Sequence, residues 1–487
     1  MDTKEKTFFG QPRGLSTLFF TEMWERFSYY GMRAILLFYM YDTVANGGLG
    51  LEKSTALSIM SIYGSLVFMS SIVGGWLADR VFGQHKSVFY GGVFIMVGHI
   101  ILATPFGIGA LFISMITIVI GTGLLKANVS SMVGGLYSKE DARRDSGFSI
   151  FYMGINLGSL LAPIIVGTLG QEVNYHAGFS VAAVGMFVGL LVYYFQGKHT
   201  IADIGLEPTN PIKPEERSKV IKIFMIVLVV VMVIFGGAAM LKLLTINFFV
   251  NFVSILGIGL PVYYFTRMIR SKDVSDDERQ HIRAYIPLFI AAIIFWSLEE
   301  QGSSILALFA EERTKSSMLG FNVPASWYQI LNPVFVVALT PVFVTLWTKL
   351  GNRQPSTVIK FSIGLVMAGL SFVLLMLPGV LFGVDQRVSP LWLVASFFIM
   401  IVGEMCLSPV GLSVTTKLAP RAFESQTLAI WLLADASSQA INAQIARFYT
   451  SSTESAYFGI VGTVAVVAGI LLFTGRKPIQ KLMGTIR

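Results

Sequence analysis

Four ionisable residues, Glu22, Glu25, Arg26 and Arg33, lie inside one otherwise apolar run near the N-terminus. Positions 22, 26 and 33 are separated by four and seven, so on a helix they share one face. Glu25 lies beside them, with Tyr30 on the same side and Tyr29 nearer its edge. Charges at bilayer depth are expensive, and lipid does not accommodate such a face. It must look into a polar cavity or onto another charged helix. Residues of these types can exchange protons there and swap ion-pair partners. A Glu–Arg pair could also neutralise itself and merely hold its own helix together, but Arg33 has no acidic neighbour on its helix for that purpose.

Groups of the opposite sign come later in the chain. Lys126, Glu299, Glu300, Glu404 and Asp435 also fall inside apolar runs. At 1.5 Å per residue, Arg33 lies roughly 25 Å along an outward-running helix, and Glu300 roughly 24 Å along another that runs the same way. A pair between them would close a cavity on the outside, and a proton on Glu300 would release it. Lys126 and Glu404 lie in inward-running helices past the midplane, at the depth of Glu22 and Glu25. Lys126 could therefore choose between carboxylates of its own half and of the other, as a proton-sensitive switch needs.

Summed by half, Glu22 and Glu25 face three cations, Arg26, Arg33 and Lys126, whereas the second half holds Glu299, Glu300, Glu404 and Asp435 without a central cation. So many acids will not all stay charged, and some should carry protons. A zwitterion fits such a cavity, with its carboxylate toward Arg26, Arg33 and Lys126 and its ammonium toward Glu404. Asn156 and Asn332 could add amide contacts. Tyr30, Trp296, Trp327 and Trp431 could line side-chain pockets or simply pack. Asp435 stands four residues after Trp431, hence on its face. It either faces the cavity or is a carboxyl capped by Ser437 and Ser438.

The elements that position these groups are membrane spans. Of 487 residues, 54% are hydrophobic and 13% charged, with a mean hydropathy of +0.69. A soluble chain carries about 25% charged residues, and one soluble core could not hide this much apolar surface. Runs of about 20 mostly apolar residues, the length of a span, occur near 15–41, 54–78, 87–105, 107–136, 147–169, 177–196, 219–241, 245–266, 284–309, 327–348, 358–381, 390–414, 425–449 and 456–475, fourteen in all. With both termini inside, only Lys53, Lys242, Arg313, Lys315 and Arg387 fall in outer loops, which is the bias expected of an even number of spans with cytoplasmic termini. Met1 to Gly14 is short and charged, and no cleavable signal is visible. The net charge of +8 is explained by membrane orientation, so no nucleic-acid partner is expected. Cys406 is the only cysteine and excludes an internal disulfide.

These spans arrange as two bundles of six with an insertion. The N-terminal bundle covers residues 1–196, and the C-terminal bundle residues 284–487. Between them, residues 197–283 hold cytoplasmic linkers and two inserted spans; Pro208, Pro211 and Pro214 mark the first linker. This pattern predicts an all-α membrane protein of the major facilitator fold, with a substrate site between the halves near the midplane. The loop Gly75-Trp-Leu-Ala-Asp79-Arg80-Val-Phe-Gly83-Gln-His-Lys86 resembles the Gly-x-x-x-Asp-Arg…Gly…Lys/Arg loop of that superfamily. There an Asp and Arg at a helix end can cap it and dock on the neighbouring bundle.

Several motifs resemble those of the proton-coupled oligopeptide transporters of bacterial type. Glu22-Met-Trp-Glu25-Arg26-Phe is similar to the family's Glu-x-x-Glu-Arg-Phe signature, and Phe151-Tyr152-Met-Gly-Ile155-Asn156-Leu-Gly158 to its Phe-Tyr-x-x-Ile-Asn-x-Gly motif. Gly121 to Ser130, Glu299-Glu300-Gln301-Gly302, Trp327 to Pro333 and Gly403-Glu404-Met-Cys-Leu-Ser408-Pro409 resemble further motifs over both bundles. The resemblance implies a symporter importing di- and tripeptides by alternating access. Protons serve as the coupling ion, and no other cofactor, metal or enzymatic activity is implied. By the family pattern, Glu22, Glu25, Arg26, Lys126 and Glu300 couple to protons, and Arg33 and Glu300 form the outer gate. Asn156, Asn332 and Glu404 hold the peptide amino terminus, while Arg26, Arg33 and Lys126 hold its carboxylate. A monomer in the bacterial plasma membrane is expected, with peptide-like drugs as possible substrates.

Three positions depart from the pattern. Ala127 replaces a Pro after the lysine, Phe68 a common Tyr, and Asp435 a small or hydroxylated residue. The last two bear on side-chain preference. Nitrate transporters of the wider family tend to lack the helix 1 acid pair, and a proton-coupled drug exporter would share the fold. The sequence contains no H-E-x-x-H, phosphate loop, nucleophile elbow or repeated pore loop, and its five histidines lack metal-ligand spacing.

Overall fold

The protein is described here by a computed structural model covering residues 8–484, apart from 139, 140, 142, 316, 319 and 320. Its N-terminal residues 1–7, part of the stretch read above as lacking a signal, lie outside the described residues. The helices are α1 (Gly14–Tyr41), α2 (Lys53–Leu77), α3 (Gln84–Leu102), α4 (Gly107–Gly135), α5 (Arg144–Ala162), α6 (Tyr175–Leu191), α7 (Pro214–Met240) and α8 (Ile246–Arg270). They continue as α9 (Asp276–Glu299), α10 (Ile305–Arg313), α11 (Leu331–Leu350), α12 (Thr357–Phe382), α13 (Leu391–Leu418), α14 (Glu424–Ile445), α15 (Glu454–Thr474) and a short α16 (Arg476–Met483). One small antiparallel pair, β1 (Ser317–Met318) and β2 (Phe321–Asn322), interrupts the helical pattern.

Among the described residues, twelve helical segments are long and apolar enough to cross a bilayer. α1 and α14 coincide with the expected runs 15–41 and 425–449 but fall outside that class. α1 carries Glu22, Glu25, Arg26 and Arg33, and α14 carries Asp435, Ser437, Ser438, Gln439 and Asn442. Both helices thus carry candidate site residues.

The chain divides into two compact units. The first comprises Met1–Ser28, Met69–Gly158 and Ser180–Ile255; the second comprises Tyr29–Phe68, Ser159–Phe179 and Leu256–Arg487. α1, α2, α5, α6 and α8 each contribute to both. The first unit has a core of Leu15, Leu18, Ile95, Leu125, Met132 and Phe151, all nearly or fully buried. In the second, Phe309, Phe372 and Phe458 pack together from α10, α12 and α15, with ring centroids 5.7 and 5.5 Å from Phe458.

Helix α9 begins earlier than the apolar run at 284 suggests. Ser275 caps it: its Oγ accepts from Glu278 N at 3.3 Å, and the Glu278 carboxylate accepts from Ser275 N at 2.9 Å. This reciprocal pair satisfies two otherwise orphaned backbone groups. Hydropathy is blind to it, because the first turn is Asp276, Asp277 and Glu278. Within the expected single span, which runs Asp276–Arg313, the helix is interrupted. α9 passes into a 3₁₀ turn at Glu300–Ser303, and Ser304 (φ −127°, ψ −89°) leaves helical geometry before α10 begins.

The loop after α2 is engaged by the linker that follows α6. Asp79 O accepts from Asn210 N at 2.9 Å, Asp79 Oδ1 accepts from Thr209 Oγ1 at 3.0 Å, and Arg80 pairs with Glu216. The polar linker and the first turn of α7 reach these groups within the first unit, where the linker's backbone amides find partners.

Candidate functional site

In the first unit, α1 presents the acid–base face. Arg26 Nε lies 3.2 Å from Glu22 Oε1 and is also paired with Glu25. All three side chains are buried. The four-residue spacing brings Glu22 to Arg26, as helical geometry requires. Lys126 of α4 lies within electrostatic reach of Glu22.

α5 approaches this face closely at Gly158. A Cβ there would stand 2.3 Å from Met23 O and 3.1 Å from Arg26 Cβ, so any side chain would force α1 and α5 apart. Two residues earlier on α5, Asn156 is 9% exposed. Its Nδ2 donates to Tyr152 O at 2.9 Å.

In the second unit, Arg33 meets the broken end of α9. Its NH2 donates to Glu300 Oε2 at 2.9 Å and to Ser303 Oγ at 2.7 Å. In a 3₁₀ turn, residues i and i+3 eclipse, so the break at Glu300–Ser303 stacks these two acceptors where one nitrogen reaches both. The side chains of Arg33 and Glu300 are 7% and 12% exposed. Tyr29 OH, 3.5 Å from Arg33 NH1, and the neighbouring Tyr30 ring complete this end of α1.

An acidic cluster surrounds the pair. Asn332 Nδ2 donates to Glu299 Oε1 at 2.7 Å, and Glu299 lies within electrostatic reach of Glu300, Glu404, Asp435 and Arg33. Glu404 Oε2 and Trp296 Nε1 are buried and have no hydrogen-bond partner among the described residues. Both are polar atoms in place for a ligand or water. Trp431 is 7% exposed and lies against Gly411 of α13, where an added Cβ would stand 2.1 Å from the indole ring.

The structure therefore brings together Glu22, Glu25 and Arg26, with Lys126 in electrostatic reach, and separately Arg33 and Glu300, as their spacing and depth suggested. It joins Asn332 to Glu299. Trp327 is a structural contact, its Nε1 donating to Thr168 Oγ1 at 2.9 Å. Of the two readings of Asp435, capping by serines fails. A hydroxyl has one proton to donate, and those of Ser437 and Ser438 go to the backbone carbonyls of Gly257 and Asp435 at 2.6 and 2.7 Å.

Sequence reasoning passed over Ser303, Gln439 and the partnership of Glu299. Gln439 Nε2 donates to Glu300 Oε2 at 2.5 Å. Its position four residues after Asp435 was the available signal, since that spacing places it on the same helix face.

A family model described as the POT family matches residues 85–464. The chain is 52% identical over 496 residues to a di-/tripeptide transporter of Lactococcus lactis subsp. cremoris, an alignment covering 100% of this chain and 99% of that one. It is 56% identical over 480 residues to the uncharacterized transporter YclF of Bacillus subtilis (strain 168), covering 98% and 96%. Its structure superposes on a crystal structure of a peptide transporter POT in complex with sulfate. The TM-score is 0.96 at 54% identity, and the match covers 98% of this chain and 97% of that one.

Proposed function

We propose that this chain, which belongs to the POT family, is a proton-coupled symporter that imports di- and tripeptides by alternating access. It is a multi-pass membrane transporter of the major facilitator fold and not an enzyme. The observation that carries the proposal is the ion pair between Arg33 and Glu300, whose N–O distance is 2.9 Å. Both partners are largely withdrawn from water, so their attraction is poorly screened and depends on the charge of Glu300. With Glu300 ionised, the pair holds α1 to α9. A proton on Glu300 removes the attraction and leaves Arg33 free to take another anion, such as a peptide carboxylate.

The other assignments follow the same chemistry. Glu22, Glu25, Arg26 and Lys126 form the second proton-sensitive group, protons being the coupling ion, with no other cofactor. Arg26, Arg33 and Lys126 receive the peptide carboxylate, and Asn156, Asn332 and Glu404 its amino terminus. Tyr30, Trp296 and Trp431 face peptide side chains. The di-/tripeptide transporter from Lactococcus lactis supports this substrate class. We extend the proposal to residues 1–196 and 284–487 as bundles joined by the inserted segment 197–283. It also includes cytoplasmic termini, a bacterial inner-membrane location, a monomeric state and peptide-like drugs as additional substrates.

The test is uptake of labelled dialanine into proteoliposomes with and without an inward proton gradient. Accumulation that needs the gradient and is blocked by unlabelled dipeptides, but not by single amino acids or nitrate, is the expected result. No uptake by a folded, reconstituted sample contradicts the substrate assignment.

A further inference from the structure

Glu300 has a second donor that the gate leaves unexplained. Gln439 on α14 is 2% exposed, and its Nε2 donates to Glu300 Oε2 at 2.5 Å. Arg33 NH2 donates to the same oxygen at 2.9 Å. Oε1 accepts no hydrogen bond among the described residues, so a proton arriving at this carboxylate has an oxygen to take. The two donors differ in kind. The Arg33 bond draws its strength from the charge on the carboxylate. Gln439 is a neutral amide, whose N–H binds the carbonyl oxygen of a protonated carboxyl as it binds any carbonyl.

The amide is held in place from several sides. Gly64 of α2 leaves the space it occupies: a Cβ there would stand 2.7 Å from Gln439 Nε2 and 2.9 Å from its Cδ. On either side of that glycine, α2 is stitched to α14, with Ser58 Oγ donating to Ala443 O at 2.9 Å and Ser65 Oγ to Ala436 O at 2.8 Å. One turn further along α14, Asn442 Oδ1 accepts from Ser297 Oγ at 2.6 Å and from Gln301 Nε2 at 3.3 Å. Tyr457 OH in turn donates to Gln301 Oε1 at 2.8 Å. This buried network ties α14 to the break in α9 where Glu300 sits.

We propose that Gln439 is a positioning residue for Glu300, keeping the carboxyl in place when Arg33 departs and setting the proton concentration at which it departs. The proposal rests on the gate reading above. The charged and titratable groups around Glu300 are Arg33, Tyr29 and Tyr30 from α1, Glu299 from its own helix, Glu404 from α13 and Asp435 from α14. Among them, Gln439 donates to Glu300 Oε2 as a neutral amide. A hydrogen bond donated to a carboxylate favours its charged form, so without Gln439 protons take the site at lower concentration.

The test is the pH profile of labelled dialanine uptake by Gln439→Met, which keeps the length of the side chain and removes the donor. The pH of half-maximal uptake should rise by about half a unit to one unit, a roughly three- to tenfold change in the proton concentration needed. In a Glu300→Gln background the same substitution should leave the pH profile of peptide counterflow unchanged. Superimposable profiles for Gln439→Met and the native chain overturn the proposal, and so does an equal shift in the Glu300→Gln background. Normal gradient-driven accumulation by Glu300→Gln alone overturns the gate reading instead, whatever Gln439→Met does. Should Gln439→Met fail to fold, Gly64→Ala takes its place: its Cβ displaces the amide and must give the same upward shift.

Discussion

Asn332 Nδ2 donates to Glu299 Oε1 at 2.7 Å, so the amide expected to meet a peptide amine is already tied to the acid preceding Glu300. An incoming ammonium can replace that amide at Glu299 while the Asn332 carbonyl oxygen accepts from it. Asn332→Ala removes one hydrogen bond to a charged group, worth about 1.5–3 kcal/mol. The KM for dipeptides should therefore rise by about tenfold or more, with a smaller effect on the maximal rate. An unchanged KM takes Asn332 out of the peptide site.

Arg313 and Glu454 form another buried pair, away from the proposed chemistry. Arg313 Nε lies 3.0 Å from both carboxylate oxygens of Glu454, and its NH2 donates to Gly383 O at 2.7 Å. The two residues are 4% and 1% exposed. Removing one partner leaves a buried charge alone, so Arg313→Met should destabilise the protein by about 3–5 kcal/mol. Replacing both by apolar residues should recover much of that loss. Thermal unfolding in detergent reads this directly, and a single variant as stable as the native chain contradicts the assignment.

Gly158 carries a prediction about packing at the first proton-sensitive group. Gly158→Ala sets a methyl group 2.3 Å from Met23 O, a backbone atom that moves only with α1. Overpacking of this kind costs about 1–3 kcal/mol. Because Phe27 N and Arg26 Cβ are the next contacts, at 3.0 and 3.1 Å, uptake should fall together with stability. A fully stable, fully active Gly158→Ala would show that α1 and α5 have room to separate.

The spans were legible because apolar runs and their flanking charges are local properties of the chain. Glu22, Glu25 and Arg26 were legible for the same reason, and Arg33 with Glu300 because depth follows from counting residues along a helix. The missing parts depend on tertiary contacts or on local capping. Arg313 follows Glu311 and Glu312 and reads as a solvated outer loop, yet the 383–388 turn and Glu454 enclose it. The early start of α9 rests on one capping box, which carries no hydropathy. Gln439 and Ser303 are ordinary polar residues until the 3₁₀ break and the bare Gly64 bring them to Glu300.

The gate itself is tested most directly by Glu300→Gln, with counterflow and gradient-driven uptake compared in the same proteoliposomes. The amide keeps the shape of a protonated glutamic acid but can neither ionise nor release a proton. Peptide counterflow, which needs only that the site alternate, should persist. Accumulation of dialanine above its equilibrium level under an inward proton gradient should be lost. Normal accumulation by this variant would contradict the account, since the Arg33–Glu300 pair could then not be the element through which protons drive transport.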